Sequence, residues 1–562
     1  MRGAADTERS ANRVAPPTGR GAVRQVGLPR KRDRARHRPL GLGALALAAV
    51  AGLALLPGAA AAQSMSPRPN VVVLMTDDES VSDVRHMPNV RRLLARRGTT
   101  FTNSFVSYPL CCPSRATFLT GQYAHNHGIV GNFPPGGYYG LRGKRNTLPV
   151  WLARAGYRTA HVGKYLNQYG TLNPREVPPG WDEWHGGVDL STYDYFNYLL
   201  NHNGRLTAHG DPGYARALVE IGRATQRGQI DALSDLLALV DRLFTPGDFG
   251  ARRARDYQTD VLARIAVRFV RRSARSERPF FLSLAPVAPH REDINGIRPA
   301  APGPDPRPAP RHAGRFAQSP LPRRPSFNEA DVSDKPALIR AQPRLTEDQI
   351  AELRRDHRGR LGALQAVDEA VGRLVATLRR TGKLDDTLFV FTSDNGWIQG
   401  EHRVPDNKYV AYEESIRVPL IIRGPGVPAG RRVDAPAVNV DLAATIVDAA
   451  NARPGRRLDG VSLLGRAGEP AAAPRRDVPL EALAPLFTGR DFPYPFAVPY
   501  YGVRTQRYKY IRWSYGDEEL YDLRTDPYEL RNLAADRAHG ELKAELAAEA
   551  RRLRGCAGAS CR

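Results

Sequence analysis

The amino-acid sequence predicts an α/β protein, in which a large, mixed but mostly parallel sheet lies between helices and a small α+β subdomain follows. Two observations lead to this prediction. Four apolar runs, rich in β-branched or aromatic residues, each end in polar residues, and segments with helical periodicity lie between runs. Continuous apolar runs are typical of strands that are buried on both faces of a parallel sheet.

The four runs are the predicted strands of the sheet, and they span residues 71–75, 159–162, 280–284 and 388–391. In sheets of this class, ligands bind beyond the carboxyl ends of the strands. The polar residues that follow the runs are therefore expected to meet at one edge of the sheet and to form the functional site there.

One long helix is predicted directly before the last of these strands. Thr346 and Gln349 form a capping-box pattern, and apolar residues then recur at helical spacing until Gly382, which can end the helix. This order of helix and strand is that of an α/β protein.

The rest of the chain is less regular. Residues 186–255 are expected to be an insertion with helical pieces around 215–243, and the Pro- and Arg-rich stretch 299–345 is expected to be a loop over the active face. Beyond a Pro- and Ala-rich passage at 468–479, the C-terminal subdomain is predicted to contain short strands within 502–513 and at 519–523, and a helix at 538–553.

The N-terminal residues form a predicted targeting segment. The first 38 residues hold eleven Lys or Arg against three acidic residues, and residues 39–62 are uncharged and end in four alanines. A basic region, an apolar region and a small-residue cleavage site are the parts of a secretory signal, although an uncleaved anchor is the alternative. We therefore predict a signal segment at 1–62, a catalytic domain at 63–470 and a C-terminal subdomain at 480–562, in a protein that is secreted, periplasmic or attached to the cell surface.

Composition excludes several classes of protein. A hydrophobic share of 42% with 8% aromatic residues excludes a wholly disordered chain, and four Cys are too few for a disulfide scaffold. The net charge of +24 falls to +16 without the N-terminal segment. Outside the cytosol this charge favours anionic or sulfated glycans as ligands, with an Arg-rich background composition as the alternative. No nucleic-acid motif accompanies this charge, so no nucleic-acid partner is expected. A stable membrane partner is not expected either.

Two of the predicted strands end in paired oxygen ligands. Asp77 and Asp78 follow the first strand, and Asp394 and Asn395 follow the last one. Adjacent carboxylates repel each other unless a cation lies between them, and hard oxygen ligands suit Ca²⁺ or Mg²⁺. The alternative is that these residues only cap strands. We predict a site for one divalent cation, with Ca²⁺ preferred over Mg²⁺.

The run from Cys111 to Arg115 is the most specific string in the chain. Pro113 suits the first position of a helix, which places Cys111 just before a helix N-terminus, where the helix dipole favours an anion or a thiolate. A buried structural Cys, or a disulfide between Cys111 and the neighbouring Cys112, is the alternative.

This string resembles the signature of the type I sulfatases, which convert the first Cys to formylglycine. Cys111, Pro113, Ser114 and Arg115, with Thr120 and Gly121 in step, match that signature, and the resemblance extends over residues 69–533. The surroundings are most similar to the N-acetylglucosamine-6-sulfatase branch, through residues 110–115, 125–127 and 163–167. The resemblance implies an alkaline-phosphatase-like fold and, as a partner, a formylglycine-generating enzyme.

The resemblance also implies a role for each matching residue. The modified Cys111 would be the nucleophile, and it would ligate the cation together with Asp77, Asp78, Asp394 and Asn395. The other implied catalytic residues are Arg115, which fixes the nucleophile, Lys164 and Lys408, which bind the sulfate, and His290, which protonates the leaving alcohol.

One position departs from the family pattern. Many members carry a His two positions after the sulfate-binding lysine, and this sequence has Leu166 there, followed by Asn167. The base that releases sulfate must therefore be another residue. The candidates for that base are His125, His127 and His402, with a structural capping role as the alternative for His402. Asn167 is predicted to support the site beside them.

Two further cysteines lie close together at the C-terminus. Outside the cytosol, Cys556 and Cys561 are expected to form a disulfide that tethers the tail, with free thiols as the alternative.

Taken with the resemblance, these residues predict an exported sulfuric ester hydrolase that acts on a sulfated sugar or glycan. A phosphomonoester or phosphonate hydrolase of the same superfamily is the first alternative, because tetrahedral anions resemble one another. A non-catalytic glycan-binding protein is the second.

Overall fold

The computed structural model describes residues 68–229, 253–292, 305–468, 476–483 and 498–562. The predicted signal segment 1–62 lies outside these residues, as do parts of the predicted insertion and of the Pro-rich loop. Within the described residues, none of the helices has both the length and the apolar character needed to cross a bilayer.

A ten-stranded mixed sheet forms the centre of the molecule, in the order β11-β2-β10-β9-β1-β8-β4-β5-β6-β7. Its strands are β1 (Asn70–Thr76), β2 (Thr99–Phe101), β4 (Arg158–Gly163), β5 (Glu183–Gly187), β6 (Tyr198–His202), β7 (Arg205–His209), β8 (Phe280–Ala285), β9 (Thr387–Ser393), β10 (Leu420–Arg423) and β11 (Arg431–Val433). A short parallel pair, β3 (Ser104–Phe105) and β12 (Ala437–Val438), lies outside this sheet.

The four strands predicted from the apolar runs are β1, β4, β8 and β9, and they lie side by side. All three of their pairings are parallel, with Val72 opposite both Leu282 and Phe389. Every residue of β1, β8 and β9 is buried, which explains why these strands are continuously apolar and do not alternate. Their carboxyl ends therefore reach the same edge of the sheet.

Twelve α-helices are present among the described residues, and several of them cover both faces of this sheet. They are α1 (Cys111–Thr120), α2 (Ala124–His127), α3 (Gly137–Gly140), α4 (Leu148–Arg154), α5 (Pro212–Gln226), α6 (Gln258–Ser273), α7 (Ala337–Arg340), α8 (Glu347–Arg380), α9 (Glu413–Ile416), α10 (Asp441–Ala449), α11 (Leu464–Gly468) and α12 (Gly540–Arg554). One apolar core joins the sheet to α6 and α8, and a second joins it to α1, α4 and α10. The predicted capping box is present at the start of α8, where the Thr346 hydroxyl accepts a hydrogen bond from the backbone of Gln349.

The predicted insertion is where the structure differs most from the sequence-based expectation. Three of its segments, β5, β6 and β7, extend the main sheet, and β6 pairs antiparallel with both of its neighbours. A helix, α5, follows them, and residues 230–252 lie outside the described part. The alternating burial of these short strands is weak, and so the pattern of residues did not predict them.

A second, four-stranded antiparallel sheet lies near the C-terminus. It consists of β13 (Val478–Ala482), β14 (Tyr500–Arg504), β15 (Tyr508–Trp513) and β16 (Glu518–Asp522), and α12 packs against it. The predicted fold class is thereby confirmed. The described residues form one compact unit, and the boundary placed between 470 and 480 stays a prediction.

Candidate active site

The predicted site residues come from several elements that end at one edge of the main sheet. Asp77 and Asp78 follow β1, Lys164 follows β4, and His290 lies beyond β8. Asp394 and Asn395 follow β9, and the loop after them carries Lys408. Cys111 is the first residue of α1, and all of these side chains are buried or nearly so.

Cys111 lies among the charged groups of this edge. The helix begins at Cys111 itself, and Pro113 is its third residue, which corrects the predicted register by two residues because Leu110 takes the extended N-cap position. Lys408 Nζ lies 2.9 Å from Cys111 Sγ, and Asp77 Oδ1 lies 3.5 Å from it. Burial, followed by the charge of Asp77, raises the pKa of the thiol to about 12.

Each carboxylate of the site has a cationic partner. Lys164 Nζ pairs with Asp77, Lys408 Nζ pairs with Asp78, and Arg115 Nε donates to Asp394 Oδ2 at 2.7 Å. Burial would raise the pKa of Asp77, but the neighbouring positive charges of Lys164, His290 and Arg115 outweigh it and lower that pKa to about 2. The site is therefore a dense, buried array of paired charges.

The placement of Lys164 depends on a glycine. Gly163 has φ +110°, and a Cβ atom at this position would lie 2.1 Å from the carbonyl oxygen of Ala285. Only glycine fits there, and the chain then turns so that Lys164 enters the site, where its Nζ also lies 4.4 Å from the centre of the Tyr193 ring.

Two of the oxygen atoms predicted to bind a cation accept no hydrogen bond from the described residues. Asp78 Oδ2 and Asn395 Oδ1 are buried and have no hydrogen-bond partner among the described residues. Ligand atoms of Asp77, Asp78, Cys111 and His290 lie within 4.8 Å of one another. Unsatisfied buried acceptors beside several carboxylates fit the donor set that a hard divalent cation requires.

His290 presents one nitrogen to the site. Its Nδ1 lies 2.6 Å from the carbonyl oxygen of Arg291, so Nδ1 carries a proton and donates it. Its Nε2 lies 3.6 Å from Asp78 Oδ2, and burial lowers the pKa of the ring. The Tyr193 ring packs against His290 at 4.7 Å.

Two of the predicted supporting histidines have their described contacts away from this array. His125 Nδ1 lies 2.6 Å from a carboxylate oxygen of Glu481, and its Nε2 lies 2.9 Å from the carbonyl oxygen of Cys556. His127 is buried between Thr117 and the backbone of Ile129, and burial lowers the pKa of its ring to about 3. Among the described residues, neither contacts Cys111 or the carboxylates of the site.

His402 and Asn167 differ in their relation to the site. His402 Nδ1 lies 2.7 Å from Glu329, and the His402 ring stacks on Tyr412 at 4.0 Å. Among the described residues, these contacts lie outside the charged array around Cys111. Asn167 Nδ2 donates to the Tyr193 hydroxyl at 2.6 Å. Because Tyr193 packs against Lys164 and His290, Asn167 supports the site through that ring.

Three residues of the site neighbourhood were missed by the sequence analysis. Tyr193 contacts Lys164 and His290, the Trp397 ring lies 5.3 Å from Lys408 Nζ, and Arg360 donates to the backbone carbonyl of Asp78. Only Arg360 carries a sequence signal, as a charged residue within the apolar stripe of the long helix.

The four cysteines form one disulfide and leave two free thiols. Cys556 and Cys561 form a disulfide across a sequence separation of five residues. Cys111 and Cys112 are both free thiols, so the alternative of a disulfide between these neighbours does not describe this structure.

Comparison with known proteins matches two family models to this chain. A model described as Sulfatase matches residues 69–452, and one described as N-sulphoglucosamine sulphohydrolase, C-terminal, matches residues 400–555. The first covers the main sheet and every predicted catalytic and metal-binding residue.

Curated relatives and solved structures agree with these matches. The chain is 33% identical to an arylsulfatase of Volvox carteri, over 91% of this chain and 78% of that protein. It is 31% identical to N-acetylglucosamine-6-sulfatase of Homo sapiens, over 77% of this chain and 70% of that protein.

Two solved structures share the fold. One, described as a complex with its substrate D-glucosamine-2-N,6-O-disulfate, has a TM-score of 0.66 at 24% identity and covers 86% of this chain and 97% of its own. The phosphonate monoester hydrolase of Agrobacterium radiobacter has a TM-score of 0.61 at 25% identity, with 87% and 95% covered. From the family match and the curated relatives together, this chain belongs to the sulfatase family and is a sulfuric ester hydrolase.

Proposed function

We propose that this protein hydrolyses 6-O-sulfate esters of glucosamine-containing sugars, through a formylglycine made from Cys111. The single observation that carries the mechanism is the position of Cys111, whose Sγ lies between Lys408 and Asp77 within the buried charge array. Likeness to N-acetylglucosamine-6-sulfatases supports the choice of substrate.

The proposed chemistry begins with modification by a formylglycine-generating enzyme, which uses dioxygen as the oxidant to convert the Cβ–SH group of Cys111 to an aldehyde, and the sulfur leaves as sulfide. One hydroxyl of the hydrated aldehyde attacks the sulfur of the ester, and the bond from sulfur to the sugar oxygen breaks. The second hydroxyl then loses its proton, the aldehyde re-forms, and inorganic sulfate leaves as its bond to the side-chain carbon breaks. Water rehydrates the aldehyde for the next turnover.

The charged residues of this chain have distinct tasks in this scheme. Arg115 has an Nη2 group that lacks a hydrogen-bond partner among the described residues, so it can donate to the nucleophile or the sulfate. Lys164 and Lys408 supply positive charge where the sulfate oxygens become more negative. His290 Nε2 faces the site, and the ring in its doubly protonated form can give the Nε2 proton to the leaving sugar oxygen while Nδ1 keeps its hydrogen bond to the Arg291 carbonyl.

One divalent cation, Ca²⁺ in preference to Mg²⁺, is proposed to bind Asp77, Asp78, Asp394 and Asn395 with the modified side chain at 111. The unsatisfied Asp78 Oδ2 and Asn395 Oδ1 atoms support this ligand set. When bound, such an ion would lower the pKa of the nucleophile and polarise a sulfate oxygen. His290 lies close enough to share the ligand cluster, although its assigned task is proton transfer.

The proposal is tested by two measurements on the same preparation. Mass analysis of the peptide that contains Cys111 should show the mass decrease for replacement of the thiol by an aldehyde. Sulfate release from glucosamine 6-sulfate should disappear in a Cys111→Ala variant that keeps the wild-type unfolding curve. Fully active protein in which position 111 is an unmodified Cys would contradict the mechanism.

A phosphonate or phosphate ester is the second candidate substrate, and the fold shared with a phosphonate monoester hydrolase favours keeping it in the test. Rates on nitrophenyl sulfate and on nitrophenyl phosphate and phosphonate esters, measured side by side, separate the two. A preference for the phosphorus esters would overturn the assignment of substrate.

Export is also part of the proposal. The basic, apolar and small-residue order of residues 1–62 supports a secretory signal, and the C-terminal disulfide fits an oxidising compartment. Detection of the mature N-terminus beyond residue 62 in the extracellular or periplasmic fraction would test this part.

A further inference from the structure

A groove lined by arginines lies at one edge of the main sheet, at the amino end of β9, and the active site lies at the opposite edge, where β9 has its carboxyl end. Its volume is about 700 Å³, and one exposed carboxylate, that of Asp385, lies in its wall. The five arginines that line it, called here the arginine groove, are Arg92, Arg96, Arg97, Arg379 and Arg423.

The location of the groove follows from the topology. Asp385 lies just before the amino end of β9, and Arg423, at the end of the antiparallel β10, pairs in register with Phe389. The carboxylates of the active site follow the carboxyl end of β9. Seven residues of strand separate the two ends, which corresponds to about 20 Å. The groove is therefore a separate surface from the catalytic site.

Most of the arginines of the groove lack internal partners. Within the described residues, the side chains of Arg96, Arg97 and Arg379 make no hydrogen bond or ion pair. Arg92 reaches only Asn89, and Arg423 donates to the carbonyl oxygen of Leu93 while its nearest carboxylate oxygen, on Asp385, is 4.0 Å away. Elsewhere in the described chain, many arginines are paired with carboxylates, as Arg311 is with Asp260 and Glu369.

The arginines of the groove also repel one another. Burial, and then the charges of Arg379 and Arg97, lower the pKa of Arg423, against the opposing effect of Asp385. Five like charges held together with a single counter-charge are stabilised when a polyanion binds, because guanidinium groups form paired hydrogen bonds with sulfate and carboxylate oxygens.

We propose that the arginine groove is a docking site for a sulfated polysaccharide, and that it holds a long substrate chain while a sulfate ester on that chain occupies the active site. This inference rests on the proposed function, since it takes the bound polymer to be the substrate. Binding of the polymer at a second site raises the local concentration of its sulfate esters near the catalytic residues, and the catalytic residues themselves are unchanged. The groove therefore selects for long chains over monosaccharide esters.

The test compares two triple variants of the full chain that carry the same change in net charge. The groove variant is Arg96→Glu with Arg97→Glu and Arg379→Glu. The control variant changes three exposed arginines elsewhere, Arg216→Glu, Arg453→Glu and Arg551→Glu. Binding of heparin is measured by titration calorimetry, in a Cys111→Ala background so that hydrolysis does not interfere.

The groove variant should bind heparin about tenfold more weakly than the parent, because three charge contacts are lost and reversed, whereas the control should lose much less. An equal loss in both variants would overturn the proposal, because binding would then depend on total charge alone.

If the groove variant fails to fold, the neutral changes Arg96→Gln, Arg97→Gln and Arg379→Gln should reduce the affinity for heparin as well, and unchanged affinity would overturn the proposal. Equally tight binding of double-stranded DNA and heparin by the parent would also overturn it.

Activity separates this proposal from the proposed function. With position 111 restored to Cys, the groove variant should hydrolyse a monosaccharide sulfate at the parent rate and should show a raised KM on long sulfated chains. A parent protein that releases no sulfate from any sugar would contradict the proposed function, whereas the heparin titration would still report on the groove.

Discussion

Arg360 Nη2, on the long helix α8, donates a hydrogen bond to the backbone carbonyl of Asp78, at the end of β1. The same guanidinium donates through Nη1 to the carbonyl of Pro289 at 3.3 Å, and it lies 3.6 Å from Asp83. Asp78 has φ +67°, a conformation that few residues other than glycine adopt. Arg360 therefore holds together the strained end of β1 and the segment that carries His290.

Replacement of Arg360 by Met should destabilise the fold by about 2–4 kcal/mol, because two carbonyls and Asp83 lose their buried donor. Sulfate release should fall as well, since Asp78 and His290 shift relative to each other. Urea unfolding and initial rates measure the two effects. Arg358→Met is the control, because Arg358 is on the same helix and donates only to Ser319 in a partly exposed position. Equal effects of the two changes would contradict the assigned role.

Lys408 contacts both Asp78 and Cys111, so its removal should affect the reaction directly. We expect Lys408→Met to lower kcat by about 10²–10³, as is typical when one charge-stabilising group is removed from an active site. Steady-state rates of sulfate release provide the measurement. Lys383→Met, a change outside the site, should leave the rate on a monosaccharide sulfate unchanged, and a Lys408→Met enzyme of parent activity would refute the assignment.

Removal of divalent cations should lower the thermal stability of the protein. Asp77, Asp78 and Asp394 lie close together, and a cation that binds only the folded state adds about 2.7 kcal/mol at a hundred times its Kd. Melting curves with a chelator, and then with Ca²⁺ or Mg²⁺ added back, measure this effect and rank the two ions. In an Asn395→Ala variant more cation should be needed for the same recovery. Melting curves that do not respond to chelation would count against the site.

His125 should stabilise the fold in a pH-dependent way. Both of its ring nitrogens face acceptors, on Glu481 and Cys556, so both must donate and the ring carries a positive charge. Burial opposes this charge, but the hydrogen bond and charge of Glu481 outweigh burial and raise the pKa of His125. A raised pKa in the folded state means that the stabilisation is complete below the unfolded-state pKa of about 6.5 and is lost as pH rises through the folded-state pKa.

The measurement is the difference in unfolding free energy between the parent and His125→Gln, over about pH 5 to pH 9. We expect a difference of about 1–2 kcal/mol at the acidic end that decreases as pH rises. His127→Gln is the contrasting variant, because burial lowers the folded-state pKa of His127 to about 3. The contribution of this ring is complete above the unfolded-state pKa of about 6.5 and falls as pH decreases below it, so the two variants should show opposite trends. A constant difference for His125→Gln would show that folding does not raise the pKa of this ring, and a difference that grows with pH would show that the folded ring is neutral.

The parallel centre of the fold could be predicted from sequence because burial on both faces leaves a local signature. The apolar runs in β1, β4, β8 and β9 are continuous for that reason, and the capping box of α8 is likewise a local pattern. Polar residues directly after those strands were placed correctly at one edge, since parallel strands end together. The strands β5, β6 and β7 were not predicted, because their short segments have no clear period.

By itself, the sequence determined the parallel core, the polar residues that follow its strands and the motif around Cys111, because each depends on neighbouring residues in the chain. Only the tertiary structure decided which distant groups complete the site. Arg360 and Asp78 are 282 positions apart, and His125 is held by Glu481, 356 positions away. Such contacts depend on how whole elements pack, and no local pattern of residue types specifies them.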